Sequence, residues 1–342
     1  MPRKILVAGP SWVGDMVMAQ SLFMTLKRQA PSATIDVLAP PWSLPVIARM
    51  PEVNQGIALP IDHGKLGLCE RYKIGRRLKQ HHYDEAIVLP RSMKSALVPF
   101  FANAKQRTGY RGEFRYGLLN NIYSLDKNRL SQTVQKFVAL AHSKAQTQAP
   151  ETPCPQLKVD RANQKKQCDR LKLRTDHPAV AFMPGAEYGP AKQWPAEYFA
   201  QLARKLLASG HSVWILGSKK DAPTGEQIRR HVESPHIHNL CGQTSLTDVI
   251  DLLAGCQQAI CNDSGLMHIA AAVNTPLVAI YGSSSPQMTP PLTTQASLAY
   301  LNLNCSPCFK RICPLGHTDC LKKISPEAVF KLSQLIPVKE NS

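Results

Sequence analysis

Gln258-Ala259-Ile260-Cys261-Asn262-Asp263-Ser264-Gly265-Leu266-Met267-His268-Ile269-Ala270-Ala271-Ala272-Val273 joins a short apolar run, a polar turn with glycine and an alanine-rich segment. That order reads as strand, turn, helix. Asp263 or Ser264 can cap the helix, and Gly265 lets a ligand come close to the backbone. The first-turn amides have no partners inside the helix and sit at the positive end of its dipole, an arrangement suited to phosphate. His268 follows Ser264 by four residues and projects from the same face of the first turn. An ordinary capped helix with a buried histidine would leave the same seven-residue signature, so the meaning of the turn depends on what accompanies it.

The rest of the chain repeats the pattern. Lys4-Ile5-Leu6-Val7-Ala8 is a buried-strand run, followed by Gly9-Pro10-Ser11-Trp12-Val13-Gly14-Asp15 and a helical segment from Met16 to about Arg28. The glycine spacing is not a P-loop, because Asp15-Met16 stands where lysine and serine or threonine are required. Nor is it a dinucleotide fingerprint, because Ser11 occupies the second glycine's place. A carboxylate, Asp15, is left at the mouth of the first strand-helix turn, where capping the helix is the plain alternative.

Further strands are expected at 35–39, 56–59 and 85–89, and helices at 43–50, 70–80 and 95–102. Alternation of this kind implies a parallel sheet covered on both faces, with ligands gathered at the carboxyl ends of the strands. Two basic stretches fall in this half. Arg91-Ser92-Met93-Lys94-Ser95 follows the third of these strands. The segment from Arg107 to Tyr116 interleaves Arg107, Arg111 and Arg115 with aromatics and two glycines, and reads as a turn-rich loop. Guanidinium forks suit phosphate or carboxylate, although most such clusters are solvated loops.

Pro150, Pro153 and Pro155 mark a semi-rigid connector, dividing the chain into domains 1–155 and 156–342. A polar helix from Arg161 to Leu173 opens the second domain. Strands are then expected at 179–183, 212–216, 237–240, 258–261 and 277–281, and helices from Pro195 to Leu207 and from Leu246 to Ala254. Gly185, Lys192, Gly217 and Ser218 lie in the turns that follow the first two of these strands. Several glycine- or serine-bearing turns on one sheet edge favour a nucleotide pocket.

Composition bounds the partners. The 342 residues carry 41 lysines and arginines against 24 acidic residues, net +17, which favours an anionic partner. No apolar segment reaches membrane-spanning length, and the N-terminal apolar run is too short for a signal peptide, so a cytoplasmic location is expected. Ten cysteines in such a chain suggest reduced thiols or metal ligands. Cys305, Cys308, Cys313 and Cys320 fall as C-x2-C-x4-C-x6-C. This set can close a tetrahedral structural zinc site, with free thiols in a compact loop as the alternative.

Three stretches together resemble the ADP-heptose:lipopolysaccharide heptosyltransferases, glycosyltransferase family 9. They are Gly9-Pro10-Ser11-Trp12-Val13-Gly14-Asp15-Met16, the segment from Pro184 to Pro195, and Asn262 to His268. The segments Leu97-Val98-Pro99-Phe100-Phe101 and Arg115-Tyr116-Gly117-Leu118-Leu119-Asn120 are similar to the subgroup that adds the second inner-core heptose. The resemblance implies an α/β GT-B architecture, two Rossmann-like domains with parallel sheets facing across a cleft, and an inverting reaction that needs no metal for chemistry. It implies that the first domain takes the acceptor, heptosyl-Kdo2-lipid A, at the inner face of the cytoplasmic membrane, with the enzyme peripherally associated. The second domain would hold ADP-heptose.

Carried over residue by residue, Asp15 is the expected general base and Lys192 the cation at the diphosphate. Asp263, Ser264, Gly265 and His268 are expected at the phosphates and sugar, with Gly185, Gly217 and Ser218 also on the donor side. Arg91, Lys94, Arg107, Arg111 and Arg115 are expected on the acceptor side. A first-heptose transferase, a nucleotide-sugar epimerase on the same fold, and a non-catalytic polyanion or RNA binder are the alternatives. No nucleic-acid partner is expected under the main reading.

Overall fold

The computed structural model describes residues 2–62 and 64–336. By its internal contacts the chain divides into two compact units, residues 1–155 and 156–342.

In the first unit the strands are β1 (Lys4–Ala8), β2 (Thr34–Ala39), β3 (Gln55–Ala58), β4 (Glu85–Val88), β5 (Gln106–Tyr110) and β6 (Asn121–Tyr123). The helices are α1 (Val13–Gln29), α2 (Leu44–Ile47), α3 (Leu68–Leu78), α4 (Leu97–Phe101) and α5 (Thr133–Val138). The sheet order is β3-β2-β1-β4-β5-β6, and every pair is parallel.

In the second unit the strands are β7 (Ala179–Met183), β8 (Ser212–Ile215), β9 (Ile237–Asn239), β10 (Gln258–Asn262), β11 (Leu277–Ile280) and β12 (Ala296–Ala299). Its helices are α6 (Arg161–Arg170), α7 (Ala196–Ala208), α8 (Ala222–Arg230), α9 (Leu246–Ala254), α10 (Gly265–Ala272), α11 (Asp319–Lys322) and α12 (Pro326–Leu335). The order β12-β11-β10-β7-β8-β9 is again wholly parallel.

Both sheets share one topology. The chain lays down three strands outward from the centre, returns, and lays down three on the other side. The return leaves a crevice at the carboxyl edge, between β1 and β4 in one unit and between β7 and β10 in the other. Covering both faces with helices buries every residue of β7 and β10 and all but the first of β1. This is why those strands read as continuous apolar runs rather than alternating ones. The core of the second unit runs through Val180, Phe182, Ile260 and Val278 to Trp194 and Phe199, whose rings meet edge to face at 4.9 Å.

Some sequence expectations need correction. The helix begun at Met16 starts at Val13 instead, with Trp12 in the capping position, so Asp15 lies inside the first turn and is not the cap. The segment from Arg107 to Tyr116 is not all loop. Residues 107–110 belong to β5, an interior strand hidden by its arginine and glycine content. The helix expected over 43–50 is one turn, Leu44–Ile47, after a 3-10 turn at Pro41–Ser43. Proline at 41 and 45 is tolerated there because both lie in first turns. Strands β6 and β12 and helices α5, α8, α11 and α12 were not anticipated.

Candidate functional site

The crevice of the second sheet collects the polar residues that follow β7 and β10. Asn262, at the end of β10 and fully buried, ties the two loops together. Its side-chain oxygen accepts from Trp194 N at 3.1 Å, and its amide donates to Pro184 O at 2.6 Å. With Trp194 fixed, Lys192 is held over Asp263: Lys192 Nζ lies 2.5 Å from Asp263 Oδ2. The same oxygen accepts from Ser284 Oγ at 2.5 Å. Asp263 is 5% exposed and Lys192 17% by side chain, so the pair is largely withdrawn from water. Tyr188 lies under the cations, its ring centroid 5.0 Å from Lys192 Nζ and 5.2 Å from the Arg311 guanidinium carbon.

Helix α10 starts directly beside this pair. Ser264 occupies its capping position with extended backbone, but no side chain caps the helix. The Ser264 hydroxyl is buried without a hydrogen-bond partner. The first-turn amides of α10 therefore keep their capacity to bind an anion. His268, in the second turn, is buried. Burial pushes its pKa down to about 4, with the Asp263 carboxylate opposing and the Lys192 ammonium adding to the shift. It is a neutral imidazole at physiological pH.

Gly185, Gly217 and Ser218 gather round a different group, Asp221. A Cβ at Gly185 would stand 2.4 Å from Asp221 Oδ1, and one at Gly217 would stand 2.9 Å from Asp221 Cβ. Ser218 donates to Asp221 Oδ2 from its amide at 2.8 Å and its hydroxyl at 2.7 Å. This turn is therefore not simply open to a ligand. It presents a carboxylate, Asp221, which sequence reasoning missed although Ser218-x-x-Asp221 is a capping-box pattern. Ser284 lies in the turn at 282–286 after β11, one of the glycine- or serine-bearing turns expected at this edge, but its own hydroxyl was not singled out.

In the first unit Asp15 is half-buried in the first turn of α1, at the crevice between β1 and β4. Gly9 permits this turn, since a Cβ there would lie 2.6 Å from Met16 Cε. Arg91 and Lys94 occupy the turn after β4, on the same edge. Arg91 is exposed, while Lys94 Nζ donates to Lys65 O at 3.2 Å. Arg111 is exposed in the loop after β5.

Arg107 and Arg115 are spent differently. Arg107 bonds the main-chain oxygens of Ala104 and Leu118, both at 2.7 Å. Arg115 is 1% exposed and donates to Tyr110 O, to Pro90 O at 2.7 Å and to Ser92 O at 3.3 Å. Burial, helped by the charge of Arg91, lowers its pKa to about 10, so it remains a cation at neutral pH and braces the loops after β4 and β5. Around it Phe114 and Tyr116 stand out at 93% and 62% exposure.

Cys305, Cys308, Cys313 and Cys320 border one small cavity, and none forms a disulfide. Among the described residues no group of three or more histidine, cysteine or carboxylate side chains is placed to hold a metal ion. No helix among them is long and apolar enough to cross a membrane.

Residues 71–319 match the model of glycosyltransferase family 9 (heptosyltransferase). The chain is 44% identical to lipopolysaccharide heptosyltransferase 2 of Escherichia coli K12, over 99% of this chain and all of that protein. It is 47% identical to lipooligosaccharide heptosyltransferase 2 of Haemophilus ducreyi, over 87% and 88% of the two chains. The solved structure of E. coli ADP-heptose lps heptosyltransferase II superposes with a TM-score of 0.85 at 43% identity, covering 97% of each chain.

Proposed function

The chain belongs to glycosyltransferase family 9, the heptosyltransferases, and from that membership we propose that it builds the lipopolysaccharide inner core. It transfers L-glycero-D-manno-heptose from ADP-heptose to the first heptose of Kdo2-lipid A. Full-length similarity to relatives named heptosyltransferase 2 supports this reading over a first-heptose transferase. The observation that carries the chemistry is the Lys192–Asp263 pair beside the uncapped start of α10.

Cleaving the bond between the heptose anomeric carbon and the diphosphate builds negative charge on the leaving group. An ammonium has three N–H donors; Asp263 takes one and aims the group, leaving the others for diphosphate oxygens. The α10 amides add fixed dipoles at the same place. Preorganised donors of this kind stabilise the developing charge without a divalent ion. The neutral imidazole of His268 suits contact with the sugar rather than an ionic role.

On the acceptor side Asp15 removes the proton from the attacking hydroxyl, and attack from the face opposite the diphosphate inverts the anomeric centre. Exposed Arg91 and Arg111, with Lys94, meet the anionic acceptor. The +17 net charge favours peripheral residence on the anionic inner face of the cytoplasmic membrane.

The test is a transfer assay that offers ADP-heptose with Kdo2-lipid A bearing either no heptose or one. Heptose is expected to pass only to the acceptor that already carries one. Transfer only to the heptose-free acceptor would make the chain a first-heptose enzyme, and rearrangement of ADP-heptose without acceptor would make it an epimerase.

A further inference from the structure

The charged side chains beside α10 do not by themselves match a diphosphate. Lys192 is balanced by Asp263 in the ion pair, and His268 is a neutral imidazole. The turn after β8 adds a carboxylate, Asp221, and Lys220 on that turn is paired with Glu187 at 2.6 Å. These groups carry no surplus positive charge, whereas a departing nucleoside diphosphate is multiply anionic.

Arg311 brings a further cation to this place from the loop between β12 and α11. Its guanidinium carbon lies 5.2 Å from the centroid of the Tyr188 ring, the same ring that has Lys192 Nζ at 5.0 Å. Arg311 is exposed, and among the described residues its guanidinium meets no carboxylate and no hydrogen-bond acceptor. An arginine that only braces the fold looks different, as Arg115 does with its guanidinium buried on main-chain carbonyls. The donors of Arg311 are free for a ligand.

The backbone fixes Arg311 against the Lys192 turn. Ala191 N donates to Arg311 O at 3.1 Å, and Phe309 N donates to Ser283 O at 2.7 Å. Tyr188 Oη donates to Phe309 O at 2.7 Å, which also holds the ring. Gly189 lets the two segments touch, since a Cβ there would stand 2.6 Å from Arg311 O and 3.1 Å from Arg311 Cβ. Phe309 takes a positive φ of 54°, a strained conformation for a bulky residue that these bonds maintain. Residues 309–311 are thus tied on one side to the turn that carries Lys192. On the other they are tied to Ser283, next to the serine whose hydroxyl donates to Asp263.

We propose that Arg311 is a second cation of the donor site and binds the diphosphate of ADP-heptose alongside Lys192. The inference rests on the proposed transfer reaction. A guanidinium offers its donors as a planar fork that fits phosphate oxygens, and it stays charged throughout. As the bond from the anomeric carbon to the diphosphate breaks, its electron pair stays on the phosphate oxygen, where Arg311 and Lys192 oppose the growing charge. No proton passes to or from Arg311. The Tyr188 ring positions the two cations.

The full-length wild type, R311A and R311K are titrated calorimetrically with ADP and with adenosine. R311A is expected to bind ADP about ten- to a hundredfold more weakly, as for loss of one charge-assisted hydrogen bond, and to bind adenosine as the wild type does. R311K keeps the charge without the fork and should fall between. Adenosine separates a phosphate contact from a loop brace, because loss of a brace weakens both ligands. Wild-type ADP affinity in R311A, or an equal loss for ADP and adenosine, overturns the inference.

Should R311A fail to fold, R311Q, which keeps most of the stem without the charge, is titrated in its place. The same selective loss of ADP affinity is expected, and wild-type ADP affinity overturns the inference. A wild type that binds no ADP overturns the functional reading together with Arg311. A wild type that binds ADP no better than R311A overturns Arg311 alone.

Discussion

The carboxyl edges of the two sheets have the same topology and opposite character. Beside the start of α10, at the edge of the second sheet, the charges are paired and sheltered: Lys192 on Asp263, Asp263 on Ser284, and Asn262 clamping two loops. At the edge of the first sheet the large side chains stand in solvent, Trp12 and Trp42 at 41% and 47% exposure, and Phe114 at 93%. Exposed Arg91 and Arg111 lie on the same edge. The difference fits two kinds of ligand. A small nucleotide diphosphate rewards a rigid, prebuilt set of donors. A large amphiphile with sugars, phosphates and acyl chains rewards an open surface offering both aromatic area and positive charge.

This contrast can be broken in several places. The largest effect is expected at Asp15: Asp15→Asn should lower turnover by roughly 10²–10⁴-fold, the range for a positioned general base, in a transfer assay at saturating donor. Turnover near wild type would remove Asp15 from the chemistry.

Arg115 and Arg91 come next and should behave unlike each other, despite both having been expected at the acceptor. Arg115→Ala strips buried carbonyls of their donors and should cost about 1–3 kcal/mol of stability in denaturant titration. Arg91→Ala should leave stability unchanged and raise the acceptor KM several-fold, an effect that fades with added salt. Equal behaviour of the two variants would erase the distinction between brace and contact.

The smallest effect concerns His268. Its folded pKa of about 4 lies below the ordinary 6.5, so the unfolded chain takes up the proton first. Its contribution to stability is complete above about pH 6.5, shrinks as the pH falls, and is gone below about 4. Denaturant titrations across that window should show one proton's worth of slope that His268→Gln removes. Identical slopes in the two proteins would mean that the imidazole is not held neutral.

The parallel sheets were legible because strands buried on both faces are unbroken apolar runs, as in β1, β7 and β10. Helix α9 was legible from Ser245 onward because a capping box and an amphipathic pattern agree. Strand β5 was not, because Arg107 and Gly109 break the run. Its arginine lies in the sheet only because the carbonyls of Ala104, before the strand, and Leu118, after it, absorb the guanidinium.

At the site, Lys192 and Asp263 each stood in a recognisable motif, but their pairing is a contact across 71 positions that no local pattern encodes. Ser284 was overlooked for the same reason, whereas Asp221 carried a local capping-box signal whose place beside β7 the sequence does not give. Each acquires meaning only when the sheet order sets its strand beside β7 or β10. Arg115 shows the converse, since a basic residue in a basic stretch was destined for the interior.

The division of labour between the two edges is tested most directly by titrating ADP calorimetrically into Asp15→Asn and Lys192→Ala side by side. Asp15→Asn should bind ADP as the wild type does. Lys192→Ala should bind it about ten- to a hundredfold more weakly, the worth of one charge-assisted hydrogen bond. Wild-type ADP affinity in Lys192→Ala, or its loss in Asp15→Asn, would contradict the assignment of the nucleotide to the second sheet.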